Sequence, residues 1–133
     1  MKLYEIAFLS EEYIAYTLNN MTRQRLSELF PPKYSDFIGH HITYKFGISA
    51  NTPLPTDVEI AKIVGYADDR IGIEALVVEL NGTTQRPDGN VFHITWSLDR
   101  QKGYTPKDSK NLLKQGFESV DPIEIAVKPE ILK

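Results

Sequence analysis

Short apolar runs separated by turn residues dominate the chain, a pattern typical of β-strands. It predicts strands at residues 2–9, 38–48, 58–65, 71–80, 91–98 and 122–127. The run at 71–80 is apolar at most positions, which is typical of a strand in the centre of a sheet. The polar, proline- and glycine-containing stretches between the runs predict loops and turns.

Two segments show helical features instead. The first extends from Ser10, a candidate N-cap, to the double proline at 31–32, and an asparagine pair at 19–20 could divide it. The second opens with Thr105 and Pro106, a cap followed by proline, and ends near residue 116. The predicted order is β-α-β-β-β-β-α-β. It favours a single α+β domain over residues 1–133 with largely antiparallel sheets.

One tripeptide pattern occurs twice, each time inside a predicted strand and followed by an aromatic residue, Tyr44 in the first copy and Trp96 in the second. The copies are His41-Ile42-Thr43 and His93-Ile94-Thr95. Because residues i and i+2 of a strand project from the same face, each histidine shares its face with its own threonine. The same rule places His40 on the opposite face and excludes it from the predicted site. It also places Phe46 on the core side and Lys45 on the site face.

Composition narrows the possible functions. The 133 residues carry a net charge of −3, which argues against a general nucleic-acid binder that works by phosphate neutralisation alone. Cysteine is absent, so no thiolate chemistry is available. Neither a signal peptide nor a membrane-spanning run is evident, and a cytoplasmic location is expected.

Charge is unevenly distributed, since residues 99–114 contain five basic and two acidic side chains. A solvated helix face would explain this stretch. Its position directly after the second motif makes an anionic ligand the alternative.

The paired motifs suit acid–base chemistry at a phosphodiester. Histidine titrates near neutrality, so one imidazole can accept a proton from the attacking oxygen while the other donates to the leaving oxygen. The hydroxyls of Thr43 and Thr95 can hydrogen-bond the phosphate oxygens, where charge accumulates in the transition state. Since no acidic residues flank the motifs at metal-ligand spacing, neither a metal nor a cofactor is expected.

The two His-x-Thr motifs resemble those of the two-histidine phosphoesterase superfamily. This group includes RNA ligase-like cyclic phosphodiesterases, the phosphodiesterase domains of fungal and plant tRNA ligases, and phage nucleases that destroy cyclic-nucleotide immune signals. The resemblance implies a bilobal α+β fold with a central groove. It also implies hydrolysis of 2′,3′-cyclic phosphates or 2′-linked phosphodiesters, in RNA ends or small cyclic nucleotides. His41 and His93 would be the acid–base pair, and Thr43 and Thr95 the phosphate clamps. The motifs are only 52 residues apart, shorter than is usual in the superfamily.

Further substrate contacts are predicted from position alone. Lys45 could steady a phosphate, although a surface lysine is an equal alternative. Lys102 and Tyr104 lie in the loop after the second motif, where the tyrosine could stack on a base or pack on its own loop. A monomer without an obligate protein partner or membrane partner is expected. A non-catalytic nucleotide or RNA-end sensor, or an interaction protein with accidental motifs, are the alternatives.

Overall fold

The computed structural model describes residues 12–46, 53–54 and 60–132. Within these residues the chain forms eight strands, two α-helices and two short 3-10 turns. In chain order these are β1 (Tyr13–Thr17), α1 (Asn20–Leu29), β2 (Asp36–Phe37), β3 (His41–Phe46), β4 (Ile60–Asp68), β5 (Ile73–Glu79), β6 (His93–Leu98), the turns Arg100–Lys102 and Pro106–Asp108, α2 (Ser109–Lys114), β7 (Glu118–Ala126) and β8 (Lys128–Leu132).

All eight strands belong to one antiparallel sheet. Seven follow the spatial order β7-β4-β5-β6-β3-β1-β8, and the short β2 also pairs with β6. The α+β class and the largely antiparallel sheet are thereby confirmed, whereas the detailed order of elements differs from the predicted one. For function, the important feature is that β3 and β6, which carry the two motifs, are neighbours.

The prediction of the first helix is wrong for its first half, because the chain there forms β1. Tyr13–Thr17 is rich in aromatic and β-branched residues, and it lies between β3 and β8 with its three central residues buried. The helix begins only at Asn20, because the Asn19 side chain caps it by accepting from the Thr22 backbone N–H at 2.7 Å. The predicted strand at 2–9 and the Ser10 cap lie outside the described residues.

The C-terminal strands extend further than the sequence pattern suggested. The strand predicted at 122–127 is β7, Glu118–Ala126, and it includes Pro122. Because β7 is an edge strand, a residue without a backbone N–H is tolerated there. β8 was not predicted, since its short sequence at the opposite edge combines a proline with two charged residues.

The two faces of the sheet are covered by different helices. One core includes Leu26 of α1 together with the buried isoleucines of both motifs, Ile42 and Ile94. The other core includes Leu112 and Leu113 of α2. No helix in the described part of the chain is long and apolar enough to cross a membrane.

Candidate active site

The two motifs meet at the junction of β3 and β6. Ile42 is paired with Ile94 in the antiparallel register, which sets His41 opposite Thr95 and Thr43 opposite His93. All four polar side chains line one cavity of about 490 Å³. The structure therefore brings together both histidines and both threonines that the sequence singled out.

The apolar halves of the motifs lie on the other side of the sheet. Ile42, Ile94 and Trp96 are fully buried, and Tyr44 packs against the same core. The indole Nε1 of Trp96 donates to the Phe30 carbonyl at 2.8 Å. Trp96 is therefore a core residue, and its burial holds β6 with the motif face toward the cavity.

His93 is oriented by the backbone beside it. Its Nδ1 lies 2.7 Å from the Val91 carbonyl oxygen, which can only accept, so Nδ1 carries the proton and Nε2 is the nitrogen available to a ligand. Burial lowers the pKa of His93, and the positive charges of Arg86 and Lys110 add to this effect. The Val91 hydrogen bond and Asp88 act in the opposite direction.

His41 has a different partner, the imidazole of His40. The two Nδ1 atoms are 3.0 Å apart and the rings are nearly perpendicular, with an interplanar angle of 84°. Burial lowers the pKa of His41 to about 4, with further contributions from His40 and His93. His41 is therefore neutral at pH 7 and able to accept a proton.

His40 is exposed and does not line the cavity, but its predicted place on the face opposite His41 is wrong, because the two rings are in contact. Strict alternation applies within a strand, whereas His40 precedes β3 and follows Gly39, whose φ is +49°. The turn at Gly39 brings His40 to the same side as His41. The glycine directly before His40 was the signal available in the sequence.

A β-bulge changes which residue follows Thr43 into the cavity. On β1, Ile14 is paired with Lys45 but the next residue, Ala15, is paired with Thr43, so Tyr44 is the extra residue of β3. Phe46 consequently lines the cavity, which corrects its predicted place on the core side. Lys45 is exposed and is not among the residues that line the cavity.

One threonine hydroxyl has a defined partner on the neighbouring helix. Thr95 Oγ1 lies 2.9 Å from Ser109 Oγ, and Ser109 is fully buried at the start of α2. The contact fixes the side chain of Thr95 beside the cavity, and α2 thus positions the second motif.

Cationic side chains that the motifs did not indicate also line the cavity. Arg86 is 2% exposed, and its Nε and terminal nitrogen donate to the two carboxylate oxygens of Asp88 at 2.9 and 2.8 Å. Lys107 and Lys110, both from the basic stretch at 99–114, line the same cavity. A lone arginine in a turn-rich segment gives no sequence signal, so Arg86 could be found only from the fold.

Two aromatic rings form one wall of the cavity. Tyr13 is paired across the strands with Phe46, and their ring centroids are 5.5 Å apart. The guanidinium of Arg86 lies 5.3 Å from the Phe46 centroid, and the ammonium of Lys110 lies 5.5 Å from it. An aromatic wall is thus adjacent to a cationic one.

The loop residues predicted as substrate contacts lie elsewhere. Lys102 Nζ donates to the Ile71 carbonyl at 2.9 Å, and the Tyr104 hydroxyl donates to Asp69 at 2.6 Å. Neither residue is among those lining the cavity, and both brace the β4–β5 turn. The Tyr104 ring therefore packs on the β4–β5 turn, neither in the cavity nor on its own loop.

Among the residues that the structure describes, no group of three or more His, Asp or Glu side chains could hold a metal ion. Comparison of the chain with protein-family models, with curated proteins and with solved structures found no match.

Proposed function

We propose that this protein is a phosphodiesterase that hydrolyses 2′,3′-cyclic phosphates or 2′-linked phosphodiesters by two-histidine acid–base catalysis. The observation that carries the proposal is the convergence of His41, Thr43, His93 and Thr95 on one cavity. Two proton-transfer groups and two hydroxyl donors in one small space match the needs of phosphoryl transfer to water.

His41 is proposed as the general base and His93 as the general acid. Burial biases both imidazoles toward the neutral form. A phosphate anion bound between them raises both pKa values, because an opposite charge stabilises the imidazolium. His93 gains the proton first, since its Nδ1–H already donates to the Val91 carbonyl, a contact that strengthens when the ring is charged.

These two residues account for both proton transfers of the reaction. His41 Nε2 takes a proton from water as the water oxygen bonds to phosphorus. The bond from phosphorus to the ribose oxygen breaks, and that oxygen takes the proton from His93 Nε2. The hydroxyls of Thr43 and Thr95 donate to the non-bridging oxygens, whose negative charge grows in the transition state.

The walls of the cavity support a small nucleotide as the substrate. Arg86, Lys107 and Lys110 supply positive charge for phosphates, and Tyr13 and Phe46 offer a surface on which a base can stack. A volume of about 490 Å³ is within the usual range for small-molecule sites, about 300–1,000 Å³. The proposed substrates are therefore RNA termini or short 2′-linked or cyclic oligonucleotides, acted on in the cytoplasm.

The finer architecture implied by the family resemblance belongs to the same proposal. The strands β8-β1-β3 and β6-β5-β4-β7 would be the two lobes, joined at the β3–β6 junction. That junction contains one registered pair, Ile42 with Ile94, whereas β1 and β3 share five. This limited pairing between β3 and β6 supports two lobes, one on each side of the cavity.

The test is turnover of a substrate panel in EDTA. The panel contains a 2′,3′-cyclic mononucleotide, a 2′,5′-linked dinucleotide and a cyclic dinucleotide, and the products are separated by chromatography. Hydrolysis of at least one substrate supports the proposal and identifies the linkage. Binding without hydrolysis of any would identify the alternative, a non-catalytic nucleotide or RNA-end sensor.

A further inference from the structure

His40 is an exposed residue held in a fixed position beside the cavity. Its backbone carbonyl accepts from the Leu18 N–H at 3.2 Å, and the preceding Gly39 N–H donates to the Thr95 carbonyl at 3.0 Å. Arg23 Nε donates to the Gly39 carbonyl at 3.2 Å, and its terminal nitrogen donates to the carbonyls just before it. The chain leading to His40 is thus tied to β6, to α1 and to the segment after β1.

The hydrogen bond between the neutral His40 and His41 rings has two possible directions. The two Nδ1 atoms are 3.0 Å apart, so one must carry a proton and donate to the other. If His41 donates, its Nε2 has a lone pair and can act as a base. If His40 donates, the neutral His41 carries its proton on Nε2 and cannot accept one there.

We propose that His40 is a positioning residue that accepts the Nδ1 proton of His41 and so selects its base-competent tautomer. The inference rests on the proposed function, in which His41 removes a proton from water. The same hydrogen bond persists after His41 is protonated, because the imidazolium still donates from Nδ1 to a neutral His40. His40 therefore has the same orienting role for His41 that the Val91 carbonyl has for His93.

Unlike a carbonyl, an imidazole has a charged form, and the charge of His40 is one of the causes that lower the pKa of His41. A charged His40 has N–H groups on both ring nitrogens, so it cannot accept from His41 and repels its imidazolium. The other ionisable groups around the cavity are Tyr13, Arg86, His93, Lys107 and Lys110. None of these supplies a carboxylate that could replace His40 as the acceptor.

Two substitutions separate hydrogen bonding from charge. His40→Asn places an amide oxygen where Nδ1 was and removes the imidazole charge, whereas His40→Ala removes both the acceptor and the charge. In His40→Ala we expect kcat/KM to fall by about tenfold, less than the 10²–10⁴ that loss of acid–base catalysis costs. His40→Asn should retain most of the activity. In both variants the acid limb of the kcat/KM profile should move to higher pH, because the positive charge that lowers the pKa of His41 is gone.

The tautomer is read directly, without turnover, from the ¹⁵N chemical shifts of His41 in histidine-labelled protein. The Nδ1–H form should dominate in the wild type and in His40→Asn, and a mixture should appear in His40→Ala. Unchanged tautomer populations in His40→Ala, or equal impairment of both variants, would overturn the proposal. Because the spectrum needs no substrate, failure of the tautomer claim is distinguishable from failure of the phosphodiesterase claim. Melting temperatures check that each exposed-site variant is folded.

Discussion

At the scale of single residues, the two candidate catalytic histidines differ in the hydrogen-bond partner of Nδ1. His93 donates to a carbonyl that cannot change its protonation, whereas His41 contacts a second imidazole that can. The difference predicts unequal roles, with His93 favoured as the acid and His41 as the base. The motif alone could not assign these roles, because both copies have the same sequence.

Arg86 is expected to bind substrate through a geometry that lysine cannot reproduce. Its forked contact with Asp88 fixes the guanidinium beside the cavity, and lysine lacks the second arm of that fork. Arg86→Lys should raise KM by about tenfold with a smaller change in kcat, the signature of lost ground-state binding.

Steady-state kinetics of Arg86→Lys and Arg100→Lys provide the comparison, because Arg100 is exposed and does not line the cavity. Equal KM values for Arg86→Lys and the wild type would show that Arg86 does not contact substrate.

Strand patterns in the sequence identified the residues of the two motifs but not the cavity residues outside them. Strand alternation correctly placed both His-Thr pairs on one face, because Thr43 and Thr95 each lie two residues from a histidine within a regular strand. It failed at His40, before the strand, and at Phe46, beyond the bulge. The failures share one physical cause, since alternation is lost wherever the backbone leaves the regular pleat.

At the scale of elements, the connection from β2 to β3 determines the geometry of the first motif. Gly39 lies in this connection with φ of +49°, and a Cβ there would meet the Phe37 ring at 2.4 Å. Phe37 is itself fixed by the Arg23 guanidinium, 3.7 Å from its ring centroid, and by edge-to-face contact with Trp96. The ring therefore has little freedom to yield.

Gly39→Ala is expected to destabilise the fold by about 2–3 kcal/mol, from positive-φ strain of about 1 kcal/mol and the steric clash. Gly89→Ala is the matched control, because Gly89 also has positive φ, +89°, but has no atom within 4 Å of the added Cβ. Chemical denaturation measures both. Equal losses of unfolding free energy would contradict the steric account.

β1, which was predicted as part of a helix, shows that pairing with distant strands can determine secondary structure. Ile14 and Leu18 have helical spacing, yet Tyr13–Thr17 is a strand because both of its edges are paired, with β3 and with β8. Those partners are distant in the sequence, at least 24 residues away, so no local window contains them. The same strand contributes Tyr13 to the cavity, which no local pattern indicated.

At the scale of the whole molecule, a chain of net charge −3 presents a cavity lined by Arg86, Lys107 and Lys110. Positive charge is concentrated where the phosphate would bind, while the acidic remainder repels long polyanions. This distribution is consistent with a short nucleotide substrate.

Stability should depend on pH through the two motif histidines. Their pKa values in the folded state lie below the ordinary value of about 6.5, so the unfolded chain binds more protons as the pH falls below that value. Their stabilising contribution is complete above about pH 6.5 and decreases toward pH 4, each histidine adding up to about 1.4 kcal/mol per pH unit to the slope. A His41→Asn, His93→Asn double variant should flatten the curve in this window.

Denaturant titrations at several pH values measure the effect. Below pH 4 both proteins should lose stability alike, because Asp68, Asp69 and Asp88 have lowered pKa values and are retained in the variant. A slope between pH 6.5 and 4 that persists in the double variant would assign the dependence to other groups.

The proposed function requires His41 and His93 to act as one catalytic unit. The most direct measurement is hydrolysis of a 2′,3′-cyclic nucleotide by His41→Ala, His93→Ala and the double variant, with Lys45→Ala as the control on the same strand. Each single histidine variant should lose at least about 10²-fold in kcat, and the double variant should lose little more, because groups that act together are not additive. Lys45→Ala, exposed and outside the cavity lining, should retain wild-type activity. Wild-type rates in a folded His41→Ala or His93→Ala variant would contradict the account.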